Sequence, residues 1–111
     1  FGTIDEWFYR YLAGIVIAEP GYRRIEFKPY FPSGLEWVKA HIETVRGRVA
    51  CEWVRTGSGV DVVVTVPVNA SATVHLAGRV SAPDGAEASG ERGGRTVYDV
   101  GSGTHYFSVT L

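Results

Sequence analysis

Short runs with every second residue apolar, broken by turn-forming clusters every eight to twelve residues, fill most of this 111-residue chain and leave it few folds to choose from. Ile25 and Phe27 alternate with Arg24, Glu26 and Lys28. Val38, Ala40 and Ile42 alternate with Leu35, Trp37, Lys39 and His41, and the run 48–55 reads as their hairpin partner across Thr44–Gly47. The β-branched run Val60–Val66 follows Thr56-Gly-Ser-Gly59 and reads as a central strand. After a turn at Pro67–Ala70, Ala72, Val74 and Leu76 alternate with Ser71, Thr73 and His75. Residues 77–95 are turn-rich and read as an exposed loop with one short strand around Val80, and 96–111 read as a final hairpin across Gly101-Ser-Gly103.

The first fifteen residues carry a different signal. Thr3 and Glu6 form a capping box, Gly14 stands where a helix would stop, and Ile4, Trp7, Phe8, Tyr11 and Ile15 share one stripe. Tyr9 and Leu12 widen that stripe beyond what one contact surface requires, so the helix is expected to pack on two sides. The expected fold is mainly β: an antiparallel β-sandwich of seven or eight strands preceded by one N-terminal α-helix. A start on a helix cap, without Met, is what the C-terminal part of a longer protein would show.

Composition narrows the function. A net charge of −1 gives no basic surface for nucleic acid or an anionic membrane, and no run of apolar residues is long enough to span a bilayer. The lone Cys51 sits in a strand and reads as a small buried hydrophobe. His41, His75 and His105 are scattered over three strands with no ligand spacing, so no metal and no cofactor are expected. The two Gly-Ser-Gly turns lack the following helix of a phosphate cradle, and Asn69-Ala-Ser71 reads as a turn rather than a glycosylation acceptor.

Several segments together resemble the C-terminal end of bacterial α-L-rhamnosidases. They are Phe1-Gly-Thr-Ile-Asp-Glu-Trp-Phe-Tyr-Arg-Tyr-Leu-Ala-Gly-Ile15, Pro20-Gly-Tyr-Arg-Arg-Ile25, Gly34-Leu-Glu-Trp-Val-Lys-Ala40, Gly47-Arg48 with Glu52-Trp53, the run Val64–Leu76, and Val100-Gly-Ser-Gly-Thr104. Asp5 stands where that family usually has Gly. The resemblance implies that residues 1–19 are the last helix and linker of an upstream (α/α)6 catalytic barrel, and 20–111 a C-terminal β-sandwich. It further implies that the parent removes terminal α-L-rhamnose by inversion, using two acidic residues of the barrel.

No catalytic residue is carried onto this chain, and the fragment alone is not expected to be an enzyme. Glycosidase carboxylates must face each other across the scissile bond, whereas Asp5 and Glu6 are adjacent on a helix and diverge by about 100°. Glu6 reads first as the capping partner of Thr3 and a neighbour of Arg10, with the parent's sugar pocket as its alternative. Sugars stack on aromatic faces, which makes Trp7 and Trp37 the candidates for carbohydrate contact. Trp53 would join them if exposed, but the first reading packs Trp7 between helix and sheet or barrel and lets Trp37 and Trp53 fill the sandwich, with Trp37 the most open case because it shares a face with Lys39 and His41. The expected role is thus a non-catalytic domain supporting the barrel, its main partner. The alternatives are a carbohydrate-binding module taking rhamnose-containing glycans through exposed aromatics, and a protein-interaction sandwich.

Overall fold

A computed structural model describes residues 13–17, 24–44, 46–83 and 85–110. Ten strands stand among them: β1 (Ile15–Ile17), β2 (Arg24–Phe27), β3 (Trp37–Thr44), β4 (Gly47–Arg55), β5 (Gly59–Val66), β6 (Ser71–Leu76), β7 (Arg79–Ser81), β8 (Glu87–Arg92), β9 (Arg95–Val100) and β10 (Gly103–Thr110). They form two five-stranded sheets, β1-β2-β6-β9-β8 and β3-β4-β5-β10-β7, the two layers of a sandwich.

The core is what the alternation dictates. Trp37, Lys39 and His41 face out while Val38 and Ala40 are buried. Val38, Trp53, Val62 and Phe107 are cross-strand neighbours on the inner face of one sheet; Ile25, Ala72 and Val100, and Phe27, Val74 and Tyr98, line the other. Tyr98 meets Phe107 across the layers at 5.5 Å between ring centroids, and Phe31 packs edge-on to Trp53 at 5.1 Å. Val60–Val66 is the middle strand of its sheet, as its β-branched composition predicts.

Four expectations need correction. Ten strands stand among the described residues, not seven or eight: β7 is the short strand expected around Val80, and the two additions are β1 and β8, the latter inside the segment 77–95 read as a loop. β8 is an edge strand exposed at every position, so it carries no apolar alternation of the kind that reveals a half-buried strand. Second, β9 and β10 do not pair as a hairpin: Gly101 and Ser102 carry the chain from one sheet to the other, where β10 pairs with β5 and β7. Third, the sandwich is not purely antiparallel, since β2 and β6 run parallel. The intervening chain builds β3, β4 and β5 in the opposite layer before it returns, and so supplies the long connection a parallel pair requires. Fourth, Ile15, placed at the end of the helix, is the first residue of β1 and pairs with Phe27. The rest of the expected helix, residues 1–12 with Trp7 and Glu6, lies outside the described residues.

Where the described chain begins, Ala13 is fully buried and Gly14 turns with φ 70°. The left-handed conformation is the one that ends helices, and it suits glycine because it has no Cβ. The Lys28 N–H donates to the Gly14 carbonyl at 2.8 Å, and a Cβ on Gly14 would overlap the Lys28 carbonyl group. The chain thus joins the sandwich through a close backbone contact continued by the β1–β2 ladder. A second anchor holds the loop before β3. The Arg55 guanidinium donates to the carbonyls of Leu35 at 3.1 Å, Pro32 at 3.0 Å and Phe31 at 3.3 Å, which uses the planar fork that lysine lacks.

Candidate functional site

Two surfaces collect chemistry, one on the outer face of each sheet. On β3-β4-β5-β10 the ladder sets side chains in rows. Trp37, Val54, Asp61 and Ser108 form one, and Lys39, Glu52, Val63 and Tyr106 the next. Trp37 is 55% exposed, Val54 48% and Tyr106 66%. Around Trp37, a shallow depression of about 340 Å³ is lined by Lys39, Glu52, Val54, Asp61 and Val63. Ser108 Oγ donates to Asp61 Oδ1 at 3.1 Å, which orients the carboxylate across the two strands. The surface is a flat sheet face with aromatics at two corners and carboxylates between them.

The outer face of the other sheet carries a polar recess of about 410 Å³, bordered by Arg24, Glu26, Ser89, Arg92 and Asp99. Its floor is Thr73 and His75, 7% and 6% exposed although they occupy the outward positions of β6. The alternation of residues 71–76 places both at solvent; a register shift between Ala88 and Gly90 on β8 accompanies the rim that hides them. His75 Nε2 lies 3.4 Å from Thr73 Oγ1 and 3.9 Å from Glu26 Oε1, and the Arg95 guanidinium donates to the His75 carbonyl at 3.4 Å. Burial lowers the His75 pKa, Lys28 lowers it further, Glu26 opposes, and Arg95 and Arg92 add to the lowering. His75 is therefore neutral near pH 7, a hydrogen-bonding group rather than a cation.

The other sequence candidates separate. Trp37 is exposed, whereas Trp53 is 2% exposed and belongs to the core. Trp7 and Glu6 lie outside the described residues. Cys51 is fully buried, and burial, with the Glu52 charge second, pushes its thiol far above the usual range. His41 stands 3.9 Å from Glu43, which pairs with Arg48 at 2.7 Å, and His105 Nε2 meets the Gly101 carbonyl at 2.8 Å. Among the described residues no group of three or more His, Cys, Asp or Glu is placed to hold a metal ion. Asn69 takes a left-handed φ of 65° in the turn closed by Ala70 N–H and the Pro67 carbonyl. Sequence reasoning did not join Tyr106 and Asp61 to Trp37, because only the cross-strand register brings residues so distant in the chain onto one surface.

The described residues thus form a two-sheet sandwich with mixed polar and aromatic outer faces. Residues 14–91, more than half of the chain, match the family model described as bacterial alpha-L-rhamnosidase C-terminal domain. The alpha-L-rhamnosidase of Streptomyces avermitilis is 30% identical over 113 residues, covering 98% of this chain and 11% of the relative. That of Alteromonas sp. is 38% identical over 72 residues, 65% of this chain and 8% of the relative. Among solved structures, the alpha-L-rhamnosidase from Dictyoglumus thermophilum superposes with a TM-score of 0.82 at 33% identity, over 100% of this chain and 14% of that one. The Streptomyces avermitilis enzyme complexed with L-rhamnose gives 0.85 at 28% identity, over 98% of this chain and 11% of that one. The chain belongs to the bacterial alpha-L-rhamnosidase C-terminal domain family, and it spans 8–14% of the length of these relatives.

Proposed function

We propose that this chain is the non-catalytic C-terminal β-sandwich of an α-L-rhamnosidase-like glycoside hydrolase, and that it supports an upstream catalytic (α/α)6 barrel. The supporting observation is the joint at Gly14. A flexibly tethered module would be linked by exposed, weakly bonded backbone. Here Ala13 is fully buried, Gly14 packs on the Lys28–Pro29 backbone, and β1 pairs at once with β2. On this reading the segment before Gly14 is the barrel's last helix, and the sandwich fixes its end and thereby the barrel wall.

The two acidic groups that activate water and protonate the leaving oxygen would belong to the barrel, as would the hydrolysis of terminal α-L-rhamnose. The test is paired. The 111-residue chain incubated with an aryl α-L-rhamnoside is expected to release no phenol. Truncation of the parent enzyme just before Gly14 is expected to lower its Tm by several degrees, at most about 4–8 °C for a lost supporting contact of about 2 kcal/mol, or to make it insoluble. Turnover by the isolated chain, or a truncated enzyme with unchanged Tm and kcat/KM, would overturn the reading.

A further inference from the structure

We infer that the outer face of β3-β4-β5-β10 is a binding platform for a short neutral oligosaccharide, with Trp37 as its stacking residue and Glu52 and Asp61 as acceptors for sugar hydroxyls. Two aromatic rings stand at opposite corners. Trp37 on β3 and Tyr106 on β10 are three strands and one row apart. At the usual strand spacing and rise their attachment points are roughly 16 Å from each other. That distance suits a short chain of sugars rather than one ring. Between them Val54 and Val63 give an apolar floor, and Lys39, Glu52 and Asp61 stand among these residues as hydrogen-bonding groups.

The placement of charge distinguishes a sugar from a protein partner. Interfaces with protein bury an apolar centre, poor in Lys, Glu and Asp, inside a polar rim. Here two carboxylates, Glu52 and Asp61, stand at the centre of the face and alternate with Val54 and Val63 between the aromatics. A polyol meets that pattern, since its C–H face stacks on an indole while its hydroxyls donate to carboxylates. Two carboxylates against the single Lys39 disfavour an acidic saccharide or a nucleic acid. The Ser108 hydroxyl holds Asp61 through one oxygen and leaves the other free to accept from a ligand.

This inference adds a ligand to the accessory role proposed above, and it is tested separately from barrel support. The 111-residue chain is titrated with L-rhamnose, with rutinose, which carries a terminal α-L-rhamnose, and with cellotetraose, followed by tryptophan fluorescence and calorimetry. A saturable response to at least one of these sugars is expected. Trp37→Ala should weaken it about tenfold or more, and Glu52→Gln by several-fold. Trp37 is exposed, so Trp37→Ala should leave the melting curve unchanged, which separates lost binding from lost folding. No saturable response to any of the three sugars overturns the inference, as does equal affinity in Trp37→Ala. A homodimer that Trp37→Ala dissociates overturns it too, by giving the face to a second copy. Failure of these titrations leaves the truncation result standing, and failure of the truncation leaves the titrations standing.

Discussion

Gly14→Ala is the sharpest test of the joint. The substitution adds one methyl group at a residue whose φ is 70°. The left-handed conformation costs a non-glycine residue about 1–2 kcal/mol. The new Cβ would overlap the Lys28 carbonyl and press to 2.6 Å from Pro29 N. Relief requires the Gly14 and Lys28 backbones to part by more than an ångström, which breaks the 2.8 Å bond from Lys28 N–H to the Gly14 carbonyl. That hydrogen bond contributes about 0.5–1.5 kcal/mol, and forcing apart a packed contact costs about 1–3 kcal/mol. The expected loss is about 3–6 kcal/mol in all, a drop of roughly 12–25 °C in Tm for a domain of this size. Gly34→Ala is the control. Gly34 also has positive φ, at 90°, but a Cβ there meets nothing within 4 Å, so only the backbone cost of about 1–2 kcal/mol should appear. Differential scanning calorimetry of both variants reads the difference. Equal losses at Gly14 and Gly34 would refute a tight joint, and a Gly14→Ala melting point within about 2 °C of wild type would refute the whole argument.

Two further predictions concern buried groups. The lowered pKa of His75 means that the unfolded chain takes up a proton before the folded one does. Stability should therefore fall as pH drops below the ordinary histidine value of 6.5, down to the folded pKa, and denaturant titrations of His75→Gln from pH 7.5 to 5 should show a shallower fall than wild type. An identical slope would show that His75 titrates alike in both states. Cys51, buried with its thiol pushed up by burial and by Glu52, should not react with a thiol-exchange reagent at pH 8 in the folded chain. It should react at once in denaturant, and prompt labelling of the folded chain would contradict the core placement.

Much of this was legible in the residues because alternation is a local property. Val38 and Ala40 against Trp37 and Lys39 separate two faces without knowledge of any partner strand, but the structure was needed to put Trp37, read first as filling the sandwich, on the outer one. β8 was not legible. An edge strand exposed on both faces is held by its ladder to β9, and the ladder leaves no hydrophobic mark in Glu87–Arg92. Nor was the burial of Thr73 and His75, which depends on the rim that β8 contributes.

The sequence by itself determined the mainly β class, the alternating faces of strands such as β2 and β3, and the family, because side-chain pattern and motif order are carried along the chain. Tertiary structure alone decided which strands share a sheet. It made β2 and β6 parallel, sent Thr96–Val100 and Gly103–Thr110 to different layers, and brought Trp37, Asp61 and Tyr106 onto one face. The physical reason is that strand pairing is a long-range choice: backbone groups bond equally well to any strand of suitable register, and only burial of all the inner faces at once selects the partners.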